Sequence, residues 1–189
     1  MTTSTQLNAS VAQELIANYT NNHLAVINAN ASLTALRQTG STSDSRCVWF
    51  SIADLQSFIE QVQTLTATNC ANEHGALGVR FYFCEYPAAG SSAWGTTFPT
   101  SEAQYAGMHT LMLVPTYNNG TNNVDFDPAF ATTGGMPQDL TAVYASASPA
   151  TTVNMMNHGV SVPPPYPVNV YGPTTGAYML DISNVTSNP

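Results

Sequence analysis

Residues 51–65 carry the strongest periodicity of the sequence, with six apolar side chains spaced to fall on one face of a helix. Ser51 precedes this face in the position of an N-cap, and Asp54 follows it as an acid in the first turn. An amphipathic helix has to bury its apolar face, so the pattern predicts a second apolar layer in the same fold. The six apolar residues are Ile52, Leu55, Phe58, Ile59, Val62 and Leu65.

Strand patterns that follow this helix predict the second layer. Residues 77–86 alternate β-branched and aromatic side chains with Arg80 and Cys84, and the pattern stops at Pro87. A second strand is predicted over residues 109–117, followed by an Asn-Gly dipeptide that favours a type I′ hairpin turn. The returning strand is "VDFDP", which we expect to end at Pro128.

Helical patterns precede these strands, and irregular sequence follows them. A capping box at Ser10 begins one predicted helix, whose pattern runs to Tyr19, and after "YTNN" a second runs from Leu24 to a cap at Gly40. Near the C-terminus a short helix is predicted to close at Gly159, before the extended "VPPPYP". The predicted class is α+β, with N-terminal helices packed on a small antiparallel sheet and an irregular Pro-rich C-terminal region, in a single domain over residues 1–189.

Charge excludes several classes of partner. Charged residues make up 7% of the chain, none of them is lysine, and the net charge is −8. Phosphate recognition depends on Lys and Arg, so we expect no nucleic-acid partner.

No apolar run approaches the roughly 18 residues that a membrane span needs, so we expect no membrane insertion. The N-terminus does not resemble a signal peptide. These features predict a cytoplasmic protein by default, with leaderless export or incorporation into a particle left open.

The three cysteines do not suggest a disulfide framework or a zinc site. Cys47, Cys70 and Cys84 are odd in number and lack C-x-x-C spacing. We expect free, largely buried thiols.

Short segments scattered over most of the chain resemble a known group of sequences. They are "LIANY", "SRCVWFS", "LGVRFYF", "TLMLVP" and the closing "NHG" followed by "PP". In these segments the chain resembles a family of small, uncharacterised proteins of Bacteroidetes-type bacteria. The resemblance implies kinship and no particular activity. Similar chains carry cysteines beside the closing proline pair, where this sequence has Val162 and Tyr166.

A divalent-metal site is one candidate for function. Asp125 and Asp127 alternate on a predicted strand, so both carboxylates project from one face. With His109 from the partner strand and His158 from "NHG", they would supply the oxygen and imidazole ligands of a divalent ion. The alternatives are that the two acids cover the solvated face of an edge strand, and that His158 only ends a helix turn before Gly159.

Arg80 lies within an otherwise apolar strand and is expected to pair with an acid, for which Glu85, Asp54 and Asp44 are the candidates. The sequence contains no P-loop, G-x-S-x-G or G-x-G-x-x-G motif to support nucleotide binding or acyl transfer.

Two functional hypotheses follow. The first is a non-enzymatic binding or self-assembly module, whose partner is a second copy of the chain and whose weakly charged, lysine-free surface costs little desolvation on packing. The second is a small metal-binding protein or metal-dependent enzyme that uses His109, Asp125, Asp127 and His158. Assembly predicts a concentration-dependent homo-oligomer that ignores chelators, whereas the metal site predicts a melting temperature that a divalent ion raises.

Overall fold

A computed structural model of the chain describes residues 9–41, 43–70, 75–98, 100–142, 155–156 and 160–162. These residues form helices and an antiparallel sheet, which confirms the predicted α+β class. By their contacts the described residues fall into two compact units, one within residues 9–47, 86–108 and 161–162, the other within residues 48–85 and 109–160. The single domain over residues 1–189 stays a prediction. The Pro-rich region after residue 162 lies outside the described residues.

The first unit is built from consecutive helical segments. The predicted break after Tyr19 is wrong, because the helix continues through a π-helical turn in which Thr20 Oγ1 donates to the Ile16 carbonyl at 2.8 Å. The Asn30 side chain accepts hydrogen bonds from two backbone N–H groups and caps the helical segment that begins at Ala31. The segments are α1 (Ala9–Tyr19), the π-helical turn (Thr20–Leu24), α2 (Ala25–Ala29), α3 (Ala31–Thr34) and a later 3₁₀ helix (Thr100–Tyr105).

The second unit contains a long helix and a four-stranded antiparallel sheet in the order β2-β3-β4-β5. Strands β1 and β6 form a separate two-stranded sheet. The elements, in chain order, are β1 (Cys47–Trp49), α4 (Ile52–Asn69), β2 (Leu77–Glu85), β3 (His109–Asn118), β4 (Asn123–Ala131), β5 (Pro137–Asp139) and β6 (Val160–Val162).

Helix α4 forms as its sequence predicts. The Ser51 hydroxyl accepts a hydrogen bond from the Asp54 backbone N–H at 2.9 Å, so the N-cap prediction is confirmed. The helix buries Phe58 and Val62 against one face of the sheet. Phe126 is fully buried in this core and meets the Tyr117 ring edge-on at a centroid distance of 5.3 Å. Leu113 completes the central cluster.

Strands β2 and β3 pair over the whole length of β2, from Leu77 opposite Tyr117 to Glu85 opposite His109. Because side chains alternate along a strand, the register assigns every second residue of β2 to the face that α4 covers. Leu77 and Val79 pack into the core on that face.

The connection from β3 to β4 differs from the predicted turn. Asn118 pairs with Asn123, so the hairpin loop has four residues, 119–122. Type I′ geometry needs a positive φ at both central residues, and among the described residues only glycines have one, here Gly120 at +93°. The Asn119 side chain accepts from two backbone N–H groups of the loop and organises it instead.

Strand β4 continues past the position where it was predicted to end. The prediction that Pro128 ends the strand is wrong. The pairing of β4 with β5 is irregular between Phe126 and Ala131, and a residue without a backbone N–H is tolerated at such an irregularity. The interpretation of β4 as an edge strand is also wrong, since β4 lies between β3 and β5.

None of the helices in the described part of the chain is long and apolar enough to cross a membrane.

The core contact of Phe126 yields a stability prediction. We expect Phe126→Ala to lower the free energy of unfolding by about 3–5 kcal/mol, because the side chain is completely buried and leaves a cavity. Phe83 on the same sheet is 85% exposed, so Phe83→Ala serves as the matched control and should change it by about 0.5 kcal/mol or less. Chemical denaturation at low protein concentration measures both, and equal losses would contradict the assignment of the core.

Candidate functional site

The structure separates the described members of the predicted metal site. Asp125 pairs with Thr116, near one end of β3, whereas His109 begins β3 and faces Glu85 of β2. Thr116 lies seven residues after His109, which at about 3.3 Å per residue is roughly 23 Å along the strand. His109 is therefore not brought together with the aspartates.

The two aspartates have different environments. Asp127 is 1% exposed and accepts a hydrogen bond from the Ala129 backbone N–H at 2.9 Å. This carboxylate stabilises the local turn of the chain beside Pro128. Asp125 is only partly buried and contacts side chains of β2. Val124 and Phe126 pack in the core on the opposite face, which agrees with the predicted alternation.

His158 lies outside the described residues, so the complete set of four ligands stays a prediction. Among the residues that the structure does describe, no three His, Cys, Asp or Glu side chains come together as a metal-binding group would require.

Arg80 connects three strands of the sheet. Its Nη1 donates to Asp125 Oδ1 at 2.5 Å, and its Nη2 donates to the Asn123 carbonyl at 2.7 Å, so the side chain reaches from β2 across β3 to β4. The predicted partners Glu85, Asp54 and Asp44 are wrong; Asp44 instead pairs with the buried Arg37 at 3.3 Å. Only the fold could identify Asp125, which lies 45 residues away along the chain.

Tyr82 completes this cluster. Its hydroxyl donates to Asp125 Oδ2, and Arg80 Nη1 lies 3.3 Å from the same hydroxyl. The hydrogen bond with Tyr82 raises the pKa of Arg80, and Asp125 adds to the effect, so the guanidinium stays charged. Each carboxylate oxygen of Asp125 thus accepts a hydrogen bond from a protein donor, which fixes the orientation of the carboxylate.

An open cavity of about 190 Å³ lies beside this cluster. Asp125 and Tyr82 contribute polar atoms to its wall, and the remaining lining is mostly apolar. Small-molecule sites usually enclose about 300–1,000 Å³, so this space is small for a substrate. The other lining residues are Met112, Val114, Leu140, Thr141 and Met155.

The thiols are free, as expected, but only Cys70 is buried, while Cys47 and Cys84 are half-buried. Burial raises the pKa of all three thiols; Arg46 partly offsets this at Cys47, and a hydrogen bond with the Met112 backbone does so at Cys84. A raised pKa lowers the thiolate fraction at neutral pH, which disfavours nucleophilic chemistry at these positions.

The most unusual surface of this unit is the outer edge of β2. In the described part of the chain β2 is the end strand of the sheet, with β3 on one side only. It is nine residues long and presents Phe81 and Phe83 to solvent at 53% and 85% exposure. Both share the face of Leu77 and Val79. An end strand carries a row of backbone N–H and C=O groups directed away from its neighbour, which can pair with another strand.

This edge lacks the usual features that prevent strand association. Natural edge strands often carry lysine, proline or a bulge, each of which hinders the addition of another strand. Strand β2 contains no proline, its pairing with β3 is regular throughout, and the whole sequence has no lysine. Its one interior charge, Arg80, is compensated by Asp125. The edge is thus long, regular and aromatic.

A second open cavity, of about 210 Å³, adjoins this edge on the face covered by α4. Its wall is predominantly apolar, and it lies at the end of β2 that precedes the exposed phenylalanines. Ile59, Val62 and Gln63 of α4 line it together with Leu77, Gly78 and Val79 of β2.

The sequence pattern alone does not identify this surface. The alternation in residues 77–85 predicts a strand, but the same alternation suits a central or an edge strand. The available signal was the aromatic run Phe81 to Phe83 in a chain without lysine.

Comparisons with known proteins add no relative. No family model matches the chain, and neither a curated protein nor a solved structure is significantly similar to it. The resemblance to small bacterial proteins stays a prediction.

The Arg80–Asp125 contact can be tested by removing its charge. We expect Asp125→Asn to lower the free energy of unfolding by about 0.5–1 kcal/mol at low salt, since the pair is partly exposed. The loss should shrink in 1 M salt, at which the Debye length is about 3 Å. Glu60→Gln on the exposed side of α4 removes the same charge and is the control. Equal effects of the two substitutions would show that Arg80 does not stabilise the sheet.

Proposed function

We propose that this protein is a non-enzymatic self-assembly module that binds a second copy of itself through β2. One observation carries the proposal: a nine-residue edge strand that exposes two phenylalanines and is not interrupted by proline or lysine. Strand addition at such an edge satisfies backbone hydrogen bonds and buries aromatic side chains at the same time.

Electrostatics supports the same proposal. The chain carries a net charge of −8, and that charge opposes association. Strand β2 carries only two charged residues, Arg80 and Glu85, and Arg80 is paired with Asp125. The edge is therefore a weakly charged strip on an acidic protein, where few charges lose their water when a second copy binds.

The site geometry gives less support to a small enzyme or metal-binding protein. The two described cavities are open and hold about 210 and 190 Å³, below the usual range of about 300–1,000 Å³ for small-molecule sites. Asp125 is engaged by Arg80 and Tyr82, and Asp127 by a backbone N–H. No observation in the described residues favours a reaction over association.

Light scattering over a concentration series tests the proposal. We expect the mass to rise with concentration, and to do so equally with a chelator and with added divalent metal. Phe83→Lys should keep the protein monomeric at concentrations where the parent associates, because it places a charge on the exposed edge. Val26→Lys is the matched control, since it adds the same charge at a 65% exposed apolar position on α2.

Either of two results would contradict the proposal. One is a parent protein that stays monomeric at every concentration. The other is an oligomer that Phe83→Lys and Val26→Lys weaken to the same extent.

A further inference from the structure

We propose that two copies pair their β2 strands antiparallel about a two-fold axis at Phe81, and that each copy inserts its Phe83 into the cavity between α4 and β2 of the other. This inference rests on the proposed function and specifies its partner and register. The product is a closed dimer with one continuous eight-stranded sheet.

Symmetry restricts the possible registers. In a two-fold pair of strands, residue i of one copy faces residue j of the other, and residue j faces residue i in return. Side chains directly opposite each other lie on the same face of the sheet, so the paired positions i and j are both odd or both even. Their midpoint is then a residue, and the two-fold axis has to pass through that residue and not between two residues. Phe81 is the midpoint of Leu77–Glu85, and only a two-fold there pairs all nine residues.

The neighbouring registers are less favourable. A two-fold at Arg80 pairs only residues 77–83 and leaves Cys84 and Glu85 without an opposite residue in the strand. A two-fold at Tyr82 pairs only residues 79–85 and leaves Leu77 and Gly78 without an opposite residue in the strand.

The register at Phe81 produces favourable central pairs on the α4 face, with Glu85 opposite the partner's Leu77 at each end. On the α4 face, Phe81 meets the partner's Phe81, and Val79 meets the partner's Phe83, which are aromatic and aromatic–β-branched pairs. On the other face, Arg80 lies opposite the partner's Tyr82 in the strand pairing, while both side chains keep their contacts with Asp125 of their own copy.

The cavity explains where the partner's Phe83 is accommodated. Val79 belongs to the cavity wall together with Ile59 of α4 and Gly78 of β2. A side chain opposite Val79 on this face therefore lies over the opening, and the opening holds about 210 Å³. Phe83 is 85% exposed in the single chain, so insertion buries an aromatic ring that is otherwise in water. The two-fold repeats this contact on the other side of the interface.

The other end of the sheet explains why assembly stops at two copies. In the described residues that end is β5, which has three residues, Pro137–Asp139. Very short edge strands are poor templates for strand addition. Pairing of two β2 strands consumes the long edge of both copies.

Cysteine crosslinking determines the register. In the full chain with Cys47 and Cys84 changed to Ser and the buried Cys70 retained, one new cysteine at a time is introduced as Arg80→Cys, Phe81→Cys or Tyr82→Cys, and oxidation is followed on non-reducing gels. Directly opposite residues of antiparallel strands have Cα atoms about 4.5–5.5 Å apart, within the disulfide range of about 4.4–6.8 Å. We expect Phe81→Cys to form the covalent dimer at least ten-fold faster than the other two.

Each other outcome has a distinct meaning. Faster crosslinking of Arg80→Cys or Tyr82→Cys overturns the register and leaves self-assembly in place. No crosslinking, in a parent that still associates, overturns pairing through β2. A parent without the new cysteine that stays monomeric at every concentration overturns the proposed function as well.

Two further variants test the insertion of Phe83. Phe83→Ala should weaken the dimer at least about ten-fold, as expected when a buried interface aromatic is truncated. Ile59→Trp fills the cavity from within one copy at a 44% exposed position and should also weaken it. Ile52→Ala is the control, since Ile52 is 75% exposed on the same helix and does not line the cavity. A dimer unaffected by either variant would overturn the insertion.

Discussion

The antiparallel pairing of β2 with β3 determines most of what this protein presents to its surroundings. Nine consecutive residue pairs determine which side chains of β2 lie on the face toward α4 and which lie, with Arg80, on the opposite face of the sheet. A shift by one residue would exchange the two faces, moving Val79 out of the core and Arg80 into it. The observed register avoids this, because Leu77 and Val79 pack on the core while Arg80 reaches Asp125 on β4.

Among the described residues, the same pairing leaves the outer side of β2 without a neighbouring strand. Lysine is one of the residues that commonly protect such an edge, but this chain has none, and its charged residues make up only 7% of the sequence. The one interior charge of β2 is held by Asp125 and Tyr82. The composition suggested a surface suited to packing. The exposed Phe81 and Phe83 mark the place on the fold that fits this expectation.

Local sequence patterns predicted where the helix and strands lie better than they predicted which residues and strands contact each other. The N-cap of α4 and the extents of β2 and β3 follow from residues close in sequence, and the structure confirms them to within a residue or two. The partner of Arg80 depends on a contact 45 residues away along the chain, and the interior position of β4 depends on its pairing with the short strand β5, which the pattern of β4 itself does not encode. The hairpin loop was mispredicted because two Asn side chains, at positions 118 and 119, replace the turn that an Asn-Gly dipeptide favours.

Hydrogen exchange of the β2 amides, measured on the parent protein at low and high concentration, tests the central claim most directly. Backbone N–H groups on the outer side of residues 77–85 gain a hydrogen-bond partner only when a second strand is added. We expect their protection to rise with concentration, while residues 109–118 of β3, already paired, stay unchanged. Protection of β2 that is independent of concentration in an associating protein, or a rise confined to the helices of residues 9–34, would contradict assembly through this edge.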